Sequence, residues 1–89
     1  MNNRKYPKLI MQKDIEYKNK KMNVAVYKTT YFYDIIISGD VKMLQDIKSK
    51  QEYANLLDYT IFEYPILIWD TTQTIDEAKF IYDMIEEMI

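Results

Sequence analysis

The last sixteen residues, Thr74 to Ile89, carry the pattern that most limits how this chain can fold. Thr74-Ile75-Asp76-Glu77 is a capping box, with threonine as N-cap and glutamate three residues on, each side chain placed to satisfy the other's backbone amide. Behind it Ile75, Ala78, Ile81, Tyr82, Ile85, Met88 and Ile89 recur at helical spacing and form one apolar stripe. At roughly 1.5–3 kcal/mol for each large side chain buried, such a stripe requires a surface to dock on. The rest of the chain must supply it.

What the rest supplies is strand pattern. Leu9, Met11, Ile15 and Tyr17 fall on one side of an alternating segment, with Lys8, Gln12, Asp14 and Glu16 opposite. Lys18 to Lys21 is polar and can turn, and Val24 and Val26 alternate with Ala25 and Tyr27 in a second strand. Thr29-Thr30 is poor material for a tight turn, because β-branched residues resist positive φ. A longer loop there or one long bent strand both fit, and ordinary strand lengths favour the hairpin. Tyr31, Tyr33, Ile35 and Ile37 then share one strand face, and Phe32, Asp34, Ile36 and Ser38 the other. Gly39 can end this strand in a left-handed conformation and Asp40 can cap a helix.

Val41, Leu44, Ile47, Gln51, Ala54 and Leu57 fall near helical spacing, which predicts a helix over 41–57. Its wholly polar middle, Lys48 to Glu52, leaves two short helices or a kink open. From Thr60 to Trp69 the chain reads as strand, with Phe62, Tyr64, Ile66 and Ile68 on one face and Ile61, Leu67 and Trp69 on the other. Pro65 lacks an N–H, which points to an edge strand or a bulge. The expectation is an α+β fold in the order β-β-β-α-β-α, a small antiparallel sheet of about four strands carrying two helical segments. Eighty-nine residues hold one core and so one domain.

Charge divides that domain. Residues 1–22 hold seven basic side chains (Arg4, Lys5, Lys8, Lys13, Lys18, Lys20, Lys21) against Asp14 and Glu16, a net +5. Residues 23–89 hold five lysines against twelve acids, a net -7. The chain thus reads as a basic N-terminal strand segment on an acidic body. Lysines guarding an exposed strand edge would leave the same pattern.

Several chemistries drop out. With no cysteine there is neither a disulfide framework nor a thiolate metal site, and a reducing cytoplasm is the simpler setting. The apolar run Leu9-Ile10-Met11 is too short for a signal-peptide core, and Tyr64 to Trp69 is too short to span a membrane. Without histidine or cysteine the usual general base and the commonest strong nucleophile are missing, and no EF-hand, phosphate-loop or dinucleotide pattern occurs. Asp83, Glu86 and Glu87, at helical spacing, could hold a hard cation through oxygen ligands, but acids there are the ordinary wet face of a helix. No cofactor is expected, and the chain reads as a non-enzyme.

Binding remains. For nucleic acid stand Arg4, Lys5, Lys8, Lys18, Lys20 and Lys21, interleaved with Tyr6 and Tyr17. Against it stand the acidic body and Asp34, which sits in the aromatic strand where a phosphate would come. For protein binding stand strands apolar on both faces, Ile35-Ile36-Ile37 and Ile66-Leu67-Ile68-Trp69. If two helices share one sheet face, residues on the other need a partner, and a second copy of the chain is one such partner. Glu86 and Glu87 occupy the last helical turn, where the dipole favours cations, so they suit a basic surface elsewhere. The expected contact set is therefore Asp83, Glu86 and Glu87 with Tyr31 and Tyr33. Thirteen isoleucines, eleven lysines and nine tyrosines follow AT-rich codons, so the tyrosine count alone marks no site. In general character the chain resembles the small accessory proteins of phages and mobile elements. That class includes inhibitors of host defence or host polymerases that act by occupying a surface, some as acidic mimics of nucleic acid.

Overall fold

The computed structural model describes residues 7–59 and 64–89. Five strands and two helices follow one another as β1 (Lys8–Tyr17), β2 (Lys20–Lys28), β3 (Tyr33–Ser38), α1 (Val41–Lys48), β4 (Asn55–Tyr59), β5 (Tyr64–Thr72) and α2 (Ile75–Met88). The strands form one sheet in the order β1-β2-β3-β5-β4, antiparallel at every pairing. The α+β class and the C-terminal docking helix match the sequence reading.

The helix expected over 41–57 stops at Lys48, and its last three residues, Asn55 to Leu57, open a strand. Ser49 caps it, and short-range bonds from Lys50 N–H to Ile47 O and Gln51 N–H to Lys48 O turn the chain out of the helix. Asn55–Tyr59 then pairs along β5, with Leu56 opposite Leu67 and Leu57 opposite Ile66. Leu57 satisfies helical spacing from Val41 and strand pairing equally well. The ladder partner decides between them, and it lies outside the segment.

Two tight connections set the register. Lys18 and Asn19 both have positive φ (49° and 68°), the geometry of the two-residue type I′ hairpin turn. Between β2 and β3 the chain uses the longer loop: Thr29 N–H donates to Phe32 O at 2.8 Å, and the Thr29 hydroxyl also bonds the Phe32 backbone. Tyr31 and Phe32 therefore stand outside the strand expected to contain them. Gly39 has φ +157°, outside the left-handed helical well but still a positive angle that residues with a side chain rarely adopt. It also provides room, since a Cβ there would lie 2.5 Å from the Met43 methyl.

Both helices lie on one side of the sheet. Met22, Val24 and Val26 from β2, Ile35 and Ile37 from β3, and Leu67 and Trp69 from β5 meet Leu44 and Ile47 of α1 and Ala78, Tyr82 and Ile85 of α2 in one core. A bulge in β1 corrects the expected alternation: Ile10 and Met11 both pack on this core, which leaves Leu9 opposite Tyr27, 42% exposed. Pro65 sits beside β4 just before the β3 ladder begins at Ile66, so it enters an interior strand, and the bulge of β5 lies at Trp69. On the sheet's other side no helix lies among the described residues. Ala25, Ile36 and Ile66 are nonetheless buried, and they share a depression with Gln12, Asn23, Tyr27, Ser38 and Tyr64.

Candidate functional site

α2 begins as its sequence dictates. The Thr74 oxygen accepts from the Glu77 N–H at 3.2 Å, while the Glu77 carboxylate accepts from the Thr74 hydroxyl at 3.0 Å. The expected return bond to the Thr74 amide is thus replaced by one between side chains. Asp76 and Glu77 sit in the first turn, where the helix dipole favours negative charge. The inner face buries Ala78, Tyr82 and Ile85, and Ile75, Ile81 and Ile89 pack at its margins. Lys13, on the helix side of β1, places its ammonium 4.4 Å from the centroid of the Tyr82 ring and closes the rim of the core.

The outer face of α2 joins an exposed aromatic ring to a group of carboxylates. Phe80 is 63% exposed there. Helical geometry surrounds it with Asp76 and Glu77 one turn before, and Asp83, Met84 and Glu87 one and two turns after. Lys79, the one cation of this helix, reaches Asp83 at 3.9 Å. The side chains of Asp76, Glu86 and Glu87 have no hydrogen bond or ion pair among the described residues. Met88, expected on the buried stripe, is 43% exposed and belongs to this outer face as well. No basic residue occupies the last turn. An aromatic side chain bare to water within a group of carboxylates is well suited to a contact, because buried aromatic anchors dominate protein interfaces.

Of the expected contact residues, the structure groups Asp83 with Glu87 beside Phe80, and Glu86 follows in the flank nearer Lys79. Tyr31 and Tyr33 lie elsewhere. Tyr31, 80% exposed, tips the β2–β3 loop, and Tyr33 packs on the core with the Lys28 ammonium 6.0 Å from its ring centroid. Tyr33 pairs with Thr72, so both tyrosines belong to the sheet end at which α2 starts. Glu86 and Glu87 lie about 17 Å further along the helix axis. No three acids of the described residues group as a metal site, the trio Asp83, Glu86 and Glu87 included. Phe80 escaped the sequence reading because it falls off the apolar stripe. That departure was the available signal: a large aromatic at a position where helical phase demands a polar residue.

The residues of the nucleic-acid alternative are dispersed. Arg4 and Lys5, with Tyr6, Ile61 and Phe62, lie outside the described residues. Lys8 is paired with Lys28 at one end of the β1–β2 hairpin, and Lys18 and Lys20 stand at the turn, about 30 Å away along the strand. There both are engaged: Lys18 bonds Asp46 at 3.0 Å and Lys20 lies 3.4 Å from Asp40. Lys21 stands on the open sheet face opposite Glu16.

That turn forms a second polar cluster against α1. The Tyr17 hydroxyl donates to Asp46 at 2.5 Å, and the Lys50 ammonium lies 4.9 Å from the Tyr17 ring centroid. Bonds from Tyr17 and then Lys18 hold the Asp46 carboxyl below its ordinary pKa, and the same contact raises that of Lys18. Asp40, the N-cap of α1, is lowered chiefly by the Met43 amide that it accepts, and then by Lys20. The charges here are mutually satisfied. On the open face, burial followed by the nearby Tyr64 raises the Tyr27 hydroxyl, which keeps it neutral.

No protein family, curated protein or solved structure matches the chain. No helix of the described residues is long and apolar enough to cross a membrane.

Proposed function

We propose that this protein is a non-enzymatic binding module that acts stoichiometrically on a protein partner with a basic surface. The accessory inhibitors of phages and mobile elements, which it resembles in general character, act in this way. One observation carries the reading: Phe80 stands 63% exposed on α2 among carboxylates that have almost no cation of their own. Desolvating an aromatic ring is favourable when a partner pocket receives it, and surrounding carboxylates select which pockets can approach. Asp83, Glu86 and Glu87 steer the approach and Phe80 anchors the complex.

The test is capture of the partner from the native host on immobilised protein, followed by titration of that purified partner. Phe80→Ala lowers affinity at least tenfold and leaves the melting temperature unchanged. Equal affinity of parent and variant counts against the reading.

A second arrangement concerns self-association through the open sheet face, where Leu9 and Tyr64 are 42% and 46% exposed. Two copies joined there keep both α2 faces outward. Sedimentation at micromolar concentration then gives about twice the 10.8 kDa chain mass, whereas a clean monomer removes this arrangement.

A further inference from the structure

The outer face of α2 has an order beyond its composition. Phe80, Met84 and Met88 stand at i, i+4 and i+8, exposed, half-buried and exposed in turn. Successive members of such a row advance by about 40° around the helix, so the three form an oblique apolar ridge about 12 Å long. Half-buried Ile81, three residues before Met84, borders the ridge on its inner side and packs on the core. Asp76, Asp83 and Glu87 line its other side at i, i+7 and i+11. Glu77 flanks the ridge at its Phe80 end, its carboxylate held by the Thr74 hydroxyl.

This layout restricts the occupant. A second copy of α2 laid against the first brings two carboxylate rows together with only Lys79 on each side to offset them, and like charges across an interface are repelled. Nucleic acid and an anionic bilayer are repelled for the same reason. The oblique ridge also has a natural complement, since rows at i±4 interdigitate with the i±4 grooves of another helix at a crossing near -50°. An extended strand offers no groove at that slant.

Resting on the protein-binding reading above, we infer that the surface formed by Phe80, Met84 and Met88 receives a basic amphipathic helix of the partner. That helix crosses α2 obliquely, with lysine or arginine side chains facing Asp76, Asp83 and Glu87. Its apolar stripe covers Phe80, and its basic flank supplies the cations that α2 lacks.

Two synthetic peptides test this directly. Both contain the same leucines and lysines, one ordered at helical period and one at the alternating period of a strand. Each is titrated into isotope-labelled full-length protein, with backbone-amide shifts giving the location and calorimetry the affinity. The helical-period peptide is expected to shift amides along 76–88 and to bind at least tenfold more tightly than its strand-period counterpart. Phe80→Ala removes at least tenfold of that affinity. The variant Asp83→Asn/Glu87→Gln, which preserves shape, weakens binding and flattens its salt dependence. Equal binding of both peptides, shifts confined to another surface, or no binding by either overturns the helix inference. None of these outcomes bears on capture of the native partner by Phe80, so the two readings fail separately.

Discussion

The two helices treat their acids in opposite ways. Around α1, Asp40 accepts from the Met43 amide and approaches Lys20, while Asp46 is held by both Tyr17 and Lys18. A lysine occupies the last turn of α1, in line with its dipole. Around α2, five acids face one lysine, and the last turn carries Glu86 and Glu87 without a cation. One chain thus contains a helix whose electrostatics close within the fold and a helix whose electrostatics stay open. The contrast locates the unpaired acids on α2, on the same outer face as the exposed aromatic ring.

The largest effect that sharpens the contrast lies across α2 itself. Ile85 is fully buried, so Ile85→Ala costs about 2–5 kcal/mol of stability through lost burial and the cavity left behind. Phe80→Ala, five residues away on the opposite face, leaves stability within about 0.5 kcal/mol. Parallel urea denaturation of the two variants measures both. A loss at Phe80 comparable with that at Ile85 means that the ring is structural.

Acid separates the helices next. Asp40 and Asp46 have folded-state values below their ordinary carboxyl range, because the native state favours their charged forms. Their contribution is present above the unfolded value and is lost as pH falls through the folded one, so stability declines below about pH 4. Lys18 mirrors this at the alkaline end: its raised value gives stability that is lost as pH rises through it. Tyr17→Phe, which removes the donor to Asp46, lessens the acid-side loss in a series of melting curves. An unchanged pH profile in that variant breaks the account of the α1 cluster.

The smallest effect is the most specific to α2. Glu86→Lys places a cation in its last turn and is expected to raise stability by about 0.3–1 kcal/mol, less in high salt. The equivalent reversal at Asp46 lowers stability, because it removes the acceptor of Tyr17 and Lys18. Stabilisation by both, read from thermal melts at low ionic strength, contradicts the contrast.

How far this was legible depends on whether the deciding contact is local. The start of α2 is encoded within four residues, Thr74 to Glu77, and the structure departs only in the partner of the Glu77 carboxylate. The inner stripe is local in the same sense, because helical phase alone selects Ala78, Tyr82 and Ile85. β4 was not legible, since Leu56 and Leu57 suit a helix until β5 is laid beside them. The bulge at Ile10 was hidden for a related reason: simple alternation through Leu9 and Met11 is self-consistent, and only pairing with Val26 and Tyr27 reveals the extra residue. For the candidate site, Glu86 and Glu87 stood out by their misfit to the helix dipole, and Asp83 by its helical spacing to them. Phe80 was missed, and Met88 was assigned to the buried stripe, because a stripe drawn for the core has no place for a second, outward ridge.

The central claim is that the acidic outer face of α2 contacts the partner. The direct measurement is calorimetric titration of the purified partner into the parent and into the variant Asp83→Lys/Glu86→Lys/Glu87→Lys, with melting curves of both. The account predicts a melting temperature kept or slightly raised and an affinity lowered by two orders of magnitude or more. A triple variant that binds its partner as tightly as the parent contradicts it, and reduces the acidic face to solvated surface.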